Sequence, residues 1–332
     1  MMKFIGHAVF IVGLAIVSGC TSAPKTTGLV SDGITGSNAE QHISAGVSLF
    51  DEGKYKAAIP HFESALEIEP ANPLAHYELA LTYVKMNRID ECKRIAKIGL
   101  KNPEGMEDQL TGLLATCYSV AGDTDEAVSL YKSALQSNPQ NYNLHFNIAI
   151  VYNKQNKNEQ AIHHLEESIN IKPDYSSAYL ALGELHRLGN HRTEALFYFM
   201  KFIMLEENTP RTQIAADHIA TLPYSNIQRG QNKDVTIYTN PEHGDLGPLD
   251  LALTVFAVSE TSEDRQVTSQ VHVDVLTNFV EMAGQYAENN LEVSDSFLWK
   301  YALSDIVSLH TQNNFQPFAH YLADIAGIRK VP

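Results

Sequence analysis

Cysteine is scarce in this sequence, 3 among 332 residues. That excludes a small scaffold built on disulfides. Basic residues are also few, 24 Lys and Arg against 39 Asp and Glu, for a formal net charge of −15. A surface so short of cations suits neither a phosphate backbone nor a polybasic hold on a membrane, and no nucleic acid is expected as a ligand. Tryptophan occurs once. No apolar run reaches the about 20 residues that span a bilayer comfortably. Phosphate-cradling loops, nucleophile elbows and zinc-protease motifs are missing as well. No catalytic residue, cofactor, metal or small-molecule substrate is therefore expected. What is present is an ordinary globular balance, 44% apolar and 19% charged, in a length that allows about two domains.

The first residues read as an address. Lys3 gives a positive start, and Phe4 to Val17 is an apolar stretch of secretory-signal length. It ends Val17-Ser18-Gly19-Cys20. An aliphatic residue, two small residues and a cysteine resemble the lipobox of bacterial lipoproteins. The resemblance implies a signal peptide over 1–19 and lipid attachment at Cys20, with acyl chains that include a palmitate-type group. Two or more chains hold a protein stably to a membrane. Thr21 follows the cysteine, with no aspartate there, and the family's sorting rule then implies the outer membrane, facing the periplasm. Residues 20–38 read as the lipidated N-terminus and a flexible tether rich in Ser, Thr and Gly, with a reach on the order of 25 Å.

From residue 39 the chain repeats itself at about 34 residues. Ala58, Phe62, Ala65 and Pro70 return as Ala127, Tyr131, Ala134 and Pro139, and again as Ala161, Leu165, Ser168 and Pro173. A partial copy has Ala195 and Phe199. An upstream set runs through Ala45-Gly46, Leu79-Ala80, Leu114-Ala115, Ile148-Ala149 and Leu182-Gly183. These positions resemble the tetratricopeptide repeat (TPR). Five repeats fit, 39–72, 73–106, 108–141, 142–175 and 176–209. The resemblance implies an all-α superhelix, each repeat an antiparallel helix pair, A then B. Small residues let the two helices approach and large ones fill between them. The proline ends helix B, because it lacks an amide and clashes with the preceding turn. Repeat two carries Cys92, Ala96 and Gly99 and an early Pro103, so a loose or rotated joint is expected there. Repeat five lacks its proline, which predicts a longer second helix.

In TPR proteins the A helices line a concave groove. Carried onto this sequence, that groove displays Phe50, Tyr77, Leu81, Phe146, Ile150 and Asn153, with Glu184 and Arg187 at its C-terminal end. Ile43, Val47, Val84, Thr116 and Lys154 share the same positions. Ile43 and Val47 stand where the family's carboxylate clamp needs Lys and Asn, so that clamp is absent. An exposed apolar groove marks a binding surface, unless the chain's own tether or C-terminal region covers it.

Residues 210–332 carry no copy of the repeat. They read as a capping helix, opened by Thr209-Pro210 and ended by Leu222-Pro223, followed by a C-terminal helical domain. Val235–Thr239 is a short strand candidate, and helical patterns cover Leu249–Val258, Val267–Glu288, Asp295–His310 and Phe315–Ile328. Trp299 is expected in that core. Cys92 and Cys117 fall on adjacent helices and read as two packed thiols, with a disulfide as the alternative. His163, His164, Glu166 and Glu167 have helical spacing but lack a matching ligand set. His42, His76 and His145 recur at the fourth repeat position and reflect helix packing. Glu242, His243, Asp245 and Asp250 form an acidic loop, with cation binding as the alternative.

Together these features predict a non-enzymatic outer-membrane scaffold or adaptor. It would bind a peptide or amphipathic helix of another envelope protein, in pilus or secretion-system assembly. The alternatives are a regulator that binds a cell-wall enzyme, and an enzyme with its active site in the C-terminal region.

Overall fold

A computed structural model describes residues 38–229, 235–238, 246–260, 269–290 and 296–327. The expected signal peptide, Cys20 and most of the expected tether lie outside the described residues, as do Glu242, His243 and Asp245. The chain divides into two compact units, with the boundary between Ile171 and Lys172.

The first unit holds four helix pairs: α1 (Asn38–Asp51) with α2 (Tyr55–Ile68), α3 (Pro73–Lys85) with α4 (Ile89–Gly99), α5 (Glu107–Ala121) with α6 (Thr124–Ser137), and α7 (Tyr142–Lys154) with α8 (Asn158–Ile171). Local chemistry sets these boundaries. Asn72 and Asn141 cap α3 and α7, their side-chain oxygens accepting from Ala75 N at 3.0 Å and from Leu144 N at 3.2 Å. Each A–B turn needs one left-handed residue, and Gly53, Asn87, Gly122 and Asn156 supply it, with φ from 56° to 92°. The carbonyls of Pro70 and Pro139, beyond the B helices, are taken by His76 Nε2 at 3.0 Å and His145 Nε2 at 3.1 Å. His76 and His145 thus tie α3 and α7 to the ends of the preceding B helices.

Packing follows the repeat pattern. Ala58, Phe62, Ala65, Ala80, Ala115, Ala127, Tyr131, Ala149, Ala161 and Leu165 are all buried. Gly46 lies so close to Phe62 that a Cβ there would meet the ring at 2.5 Å. The joint after repeat two is not loose. Helix α4 stops at Gly99, where a Cβ would meet His76 at 2.9 Å, and a disulfide joins Cys92 on α4 to Cys117 on α5 across 6.1 Å between Cα atoms. The expectation of free thiols is corrected accordingly.

The second unit begins with α9 (Ser176–Leu188), α10 (Arg192–Leu205) and α11 (Pro210–Thr221). Thr209 caps α11 in a reciprocal capping box with Thr212, Pro210 stands at its first position, and a 3-10 turn at Leu222–Tyr224 ends it. Strands β1 (Ile227–Arg229) and β2 (Val235–Ile237) pair antiparallel. Helices α12 (Gly247–Glu260), α13 (Ser269–Glu288), α14 (Ser304–Thr311) and α15 (Phe315–Ile325) follow, with a π turn at Trp299–Leu303 leading into α14.

Helix α10 is buried nearly all round, from Ala195 through Phe199 to Ile203. A helix with no polar face belongs at the centre of its unit, and Phe197 stacks on Phe279 of α13 at 5.5 Å. It does not run long despite the missing proline. Glu206 turns extended after Leu205, and its carboxylate accepts from Ser176, Thr209 and Arg211. Trp299 is half-buried rather than central; Leu298, Ala302 and Leu303 of the same segment fill the core instead.

Candidate partner-binding face of the repeats

The A helices of the first unit touch one another as well as their own B helices: α1 meets α3, α3 meets α5, and α5 meets α7. That second contact uses up part of the face expected to be open. Phe50 and Leu81 lie in one apolar cluster with Ala58, Phe62, Leu79, Tyr83 and Val84. Phe146 and Ile150 are 0% and 2% exposed. Ile43, Val84 and Thr116 are buried too. The expectation that these side chains are displayed is therefore corrected, because A-helix packing draws them inward. Gly112 shows how close the approach is, since a Cβ there would meet Leu144 of α7 at 2.6 Å.

What the face does present is narrower. Val47, Tyr77, Asn153 and Lys154 are half-exposed. Lys154 donates to the Ser119 carbonyl at 3.0 Å, and burial lowers its pKa from the ordinary lysine value. Glu78, next to Tyr77 in the sequence, is buried. Burial, with help from the Asp51 charge, pushes its carboxyl up to about 7.

In the second unit the expected groove residues pair with each other. The Arg187 guanidinium donates to Glu184 Oε2 at 2.8 Å, and His218 Nε2 lies 2.9 Å from Glu184 Oε1. Burial raises the Glu184 pKa, but the His218 bond and the His218 and Arg187 charges outweigh it and hold the carboxyl below its ordinary value. Asp250 stands in the first turn of helix α12. It pairs with Arg192 at 2.7 Å. The 2% exposed Arg192 also donates to Asn226 Oδ1 at 2.7 Å and Thr254 Oγ1 at 2.8 Å. Sequence reading missed this hub. Its partners lie 34 to 62 residues along the chain, and no spacing rule links them.

Comparison with known proteins agrees with this geometry. The family model described as "Tetratricopeptide repeat" matches residues 49–117 and 121–196. Residues 49–117 and 121–196 thus have the tetratricopeptide-repeat fold. The chain is 26% identical over 124 residues to the anaphase-promoting complex subunit CDC16 of Saccharomyces cerevisiae, covering 36% of this chain and 15% of that protein. It is 30% identical over 122 residues to the human protein O-mannosyl-transferase TMTC2, covering 35% of this chain and 15% of that protein. The chain thus spans a small fraction of the curated relatives it matches. Among solved structures, a thermophilic TPR protein of Thermus thermophilus is 24% identical, with a TM-score of 0.50 over 55% of this chain and 98% of that one. PilW, a widely conserved type IV pilus biogenesis factor, is 19% identical, with a TM-score of 0.51 over 57% of this chain and 87% of that one. At these identities the TPR fold alone is shared.

Proposed function

We propose that this chain is a non-enzymatic scaffold of the bacterial envelope. In this reading acyl chains on Cys20 hold it to the outer membrane, and the A-helix face of its TPR segment grips a peptide or amphipathic helix of another envelope protein. The observation that carries the proposal is the stack of A helices in the first unit, with Val47, Tyr77, Asn153 and Lys154 half-exposed at groove positions. Half-exposed aromatic and apolar side chains on α1 and α3, with amide and ammonium groups on α7, suit an extended segment that runs along several repeats. Two further observations support the setting. A disulfide between Cys92 and Cys117 fits an oxidising compartment such as the periplasm. The fold shared with PilW favours a task in pilus or secretion-system assembly.

The test replaces Val47, Tyr77 and Asn153 together by Ser and compares capture of the same envelope protein by the two forms. Loss of capture with unchanged circular dichroism supports the proposal. Undiminished capture by a folded variant refutes it. Phe50 and Phe146 are unsuitable probes, because a polar residue there opens the core.

A further inference from the structure

Every repeat closes its A–B turn with the same backbone bond, from the residue before helix B to the carbonyl five residues back. The bonds are Lys54 to Leu49 at 2.8 Å, Arg88 to Tyr83 at 2.8 Å, Asp123 to Tyr118 at 3.0 Å, Lys157 to Tyr152 at 2.9 Å and His191 to His186 at 2.8 Å. The turns therefore form a set of five internal controls with one backbone and different side chains. In the second and fourth turns the pair is a tyrosine with a cation over its ring, Arg88 over Tyr83 at 4.5 Å and Lys157 over Tyr152 at 5.9 Å. The fifth turn alone carries two histidines.

A third ligand stands with them. Glu194, three residues into helix α10 from its cap, is 9% exposed, and its Oε1 lies 3.3 Å from His191 Nδ1. One ligand atom from each of His186, His191 and Glu194 lies within 4.8 Å of the others. Metal–nitrogen and metal–oxygen bonds of about 2.0–2.2 Å set a tetrahedral edge of about 3.3 Å. The His191–Glu194 separation already equals that edge. It is long for a charge-assisted hydrogen bond, which runs at about 2.7–2.9 Å. His186 stands next to this pair, its ring centre 5.7 Å from that of His191.

We propose that His186, His191 and Glu194 form a binding site for one divalent transition-metal ion, of which zinc is the best fit. Two imidazoles and one carboxylate are a known zinc ligand set, leaving a fourth position for water. The local charges permit it. The guanidinium of neighbouring Arg192 is turned away and neutralised by Asp250, and Arg187 is paired with Glu184. The positive N-terminal end of α10 meets the negative C-terminal end of α9 at this turn, so the two helix dipoles offset. Such an ion would pin the two helices of the fifth repeat together at their turn.

The test titrates the full-length, metal-stripped chain with Co²⁺, reading visible ligand-field bands, and with Zn²⁺, reading the shift in Tm. One ion per chain is expected, with bands of a low-symmetry nitrogen–oxygen site and a rise in Tm. The double variant His186→Tyr with His191→Lys installs the pair of the fourth turn. Glu194→Gln installs the residue found there at position 160. Both should keep the fold, lose the bands and weaken zinc by about tenfold or more. A wild-type chain that binds neither ion overturns the proposal. So does a zinc response that survives unchanged in both variants, since the ion would then sit on other histidines.

Discussion

Arg192 is costly to remove. Its guanidinium is buried and meets Asp250, Asn226 and Thr254 at 2.7 to 2.8 Å. Deleting one partner of a buried pair leaves the other charge unsolvated, a loss of about 3–5 kcal/mol. Arg192→Met should therefore lower the urea midpoint sharply while leaving the first unit helical, a difference that residue-resolved hydrogen exchange reads. His272 makes a second residue-scale prediction. It is 0% exposed, stands against Tyr224, and neither ring nitrogen finds a hydrogen-bond partner among the described residues. Burial pushes its pKa down from 6.5 to about 4. The unfolded chain thus binds the proton first, and stability present above pH 6.5 is lost as pH falls towards 4. The window corresponds to about 3 kcal/mol. His272→Leu should remove that part of the acid sensitivity, seen as a smaller gap between urea melts at pH 7.5 and pH 4.5. An equal gap in both proteins would mean that the ring is not held neutral.

At the scale of elements, the repeats were legible because each copy restates the same local constraints. Small residues at Gly46, Ala80, Ala115 and Ala149 face large ones on helix B, and prolines mark where that helix stops. The capping helix was legible in Thr209-Pro210 and Leu222-Pro223 for the same reason. What failed was the part that depends on how tightly consecutive A helices approach. Phe50, Leu81, Phe146 and Ile150 occupy groove positions, but a residue's repeat position does not encode that distance. Helix α10 carried a usable signal, since Leu196-Phe197-Tyr198-Phe199-Met200 leaves no polar face. The short α4 is held by the Cys92–Cys117 crosslink. Closing a loop with a sequence separation of 25 removes unfolded-state entropy worth about 3 kcal/mol. Reduction should lower the unfolding free energy by about that amount, and Cys92→Ala with Cys117→Ala should be insensitive to reductant. A reductant-insensitive wild-type protein would show the two sulfurs unbonded.

For the whole molecule, length allowed about two domains, the repeat resemblance implied an all-α fold, and the charge deficit pointed away from nucleic acid. The division into compact units falls between Ile171 and Lys172, within the run of repeats. That placement was not legible, because α9 and α10 obey the repeat pattern while α10 packs with α11 and α12. The account centres on a protein held against the A-helix face of the first unit. In-cell photocrosslinking tests it most directly, with a photoreactive residue at Tyr77 or Asn153 and, as control, at exposed Glu67 on the B-helix side. The account predicts one discrete envelope-protein adduct from positions 77 and 153 and none from 67. Adducts of equal yield from all three positions, or none from 77 and 153, would contradict it.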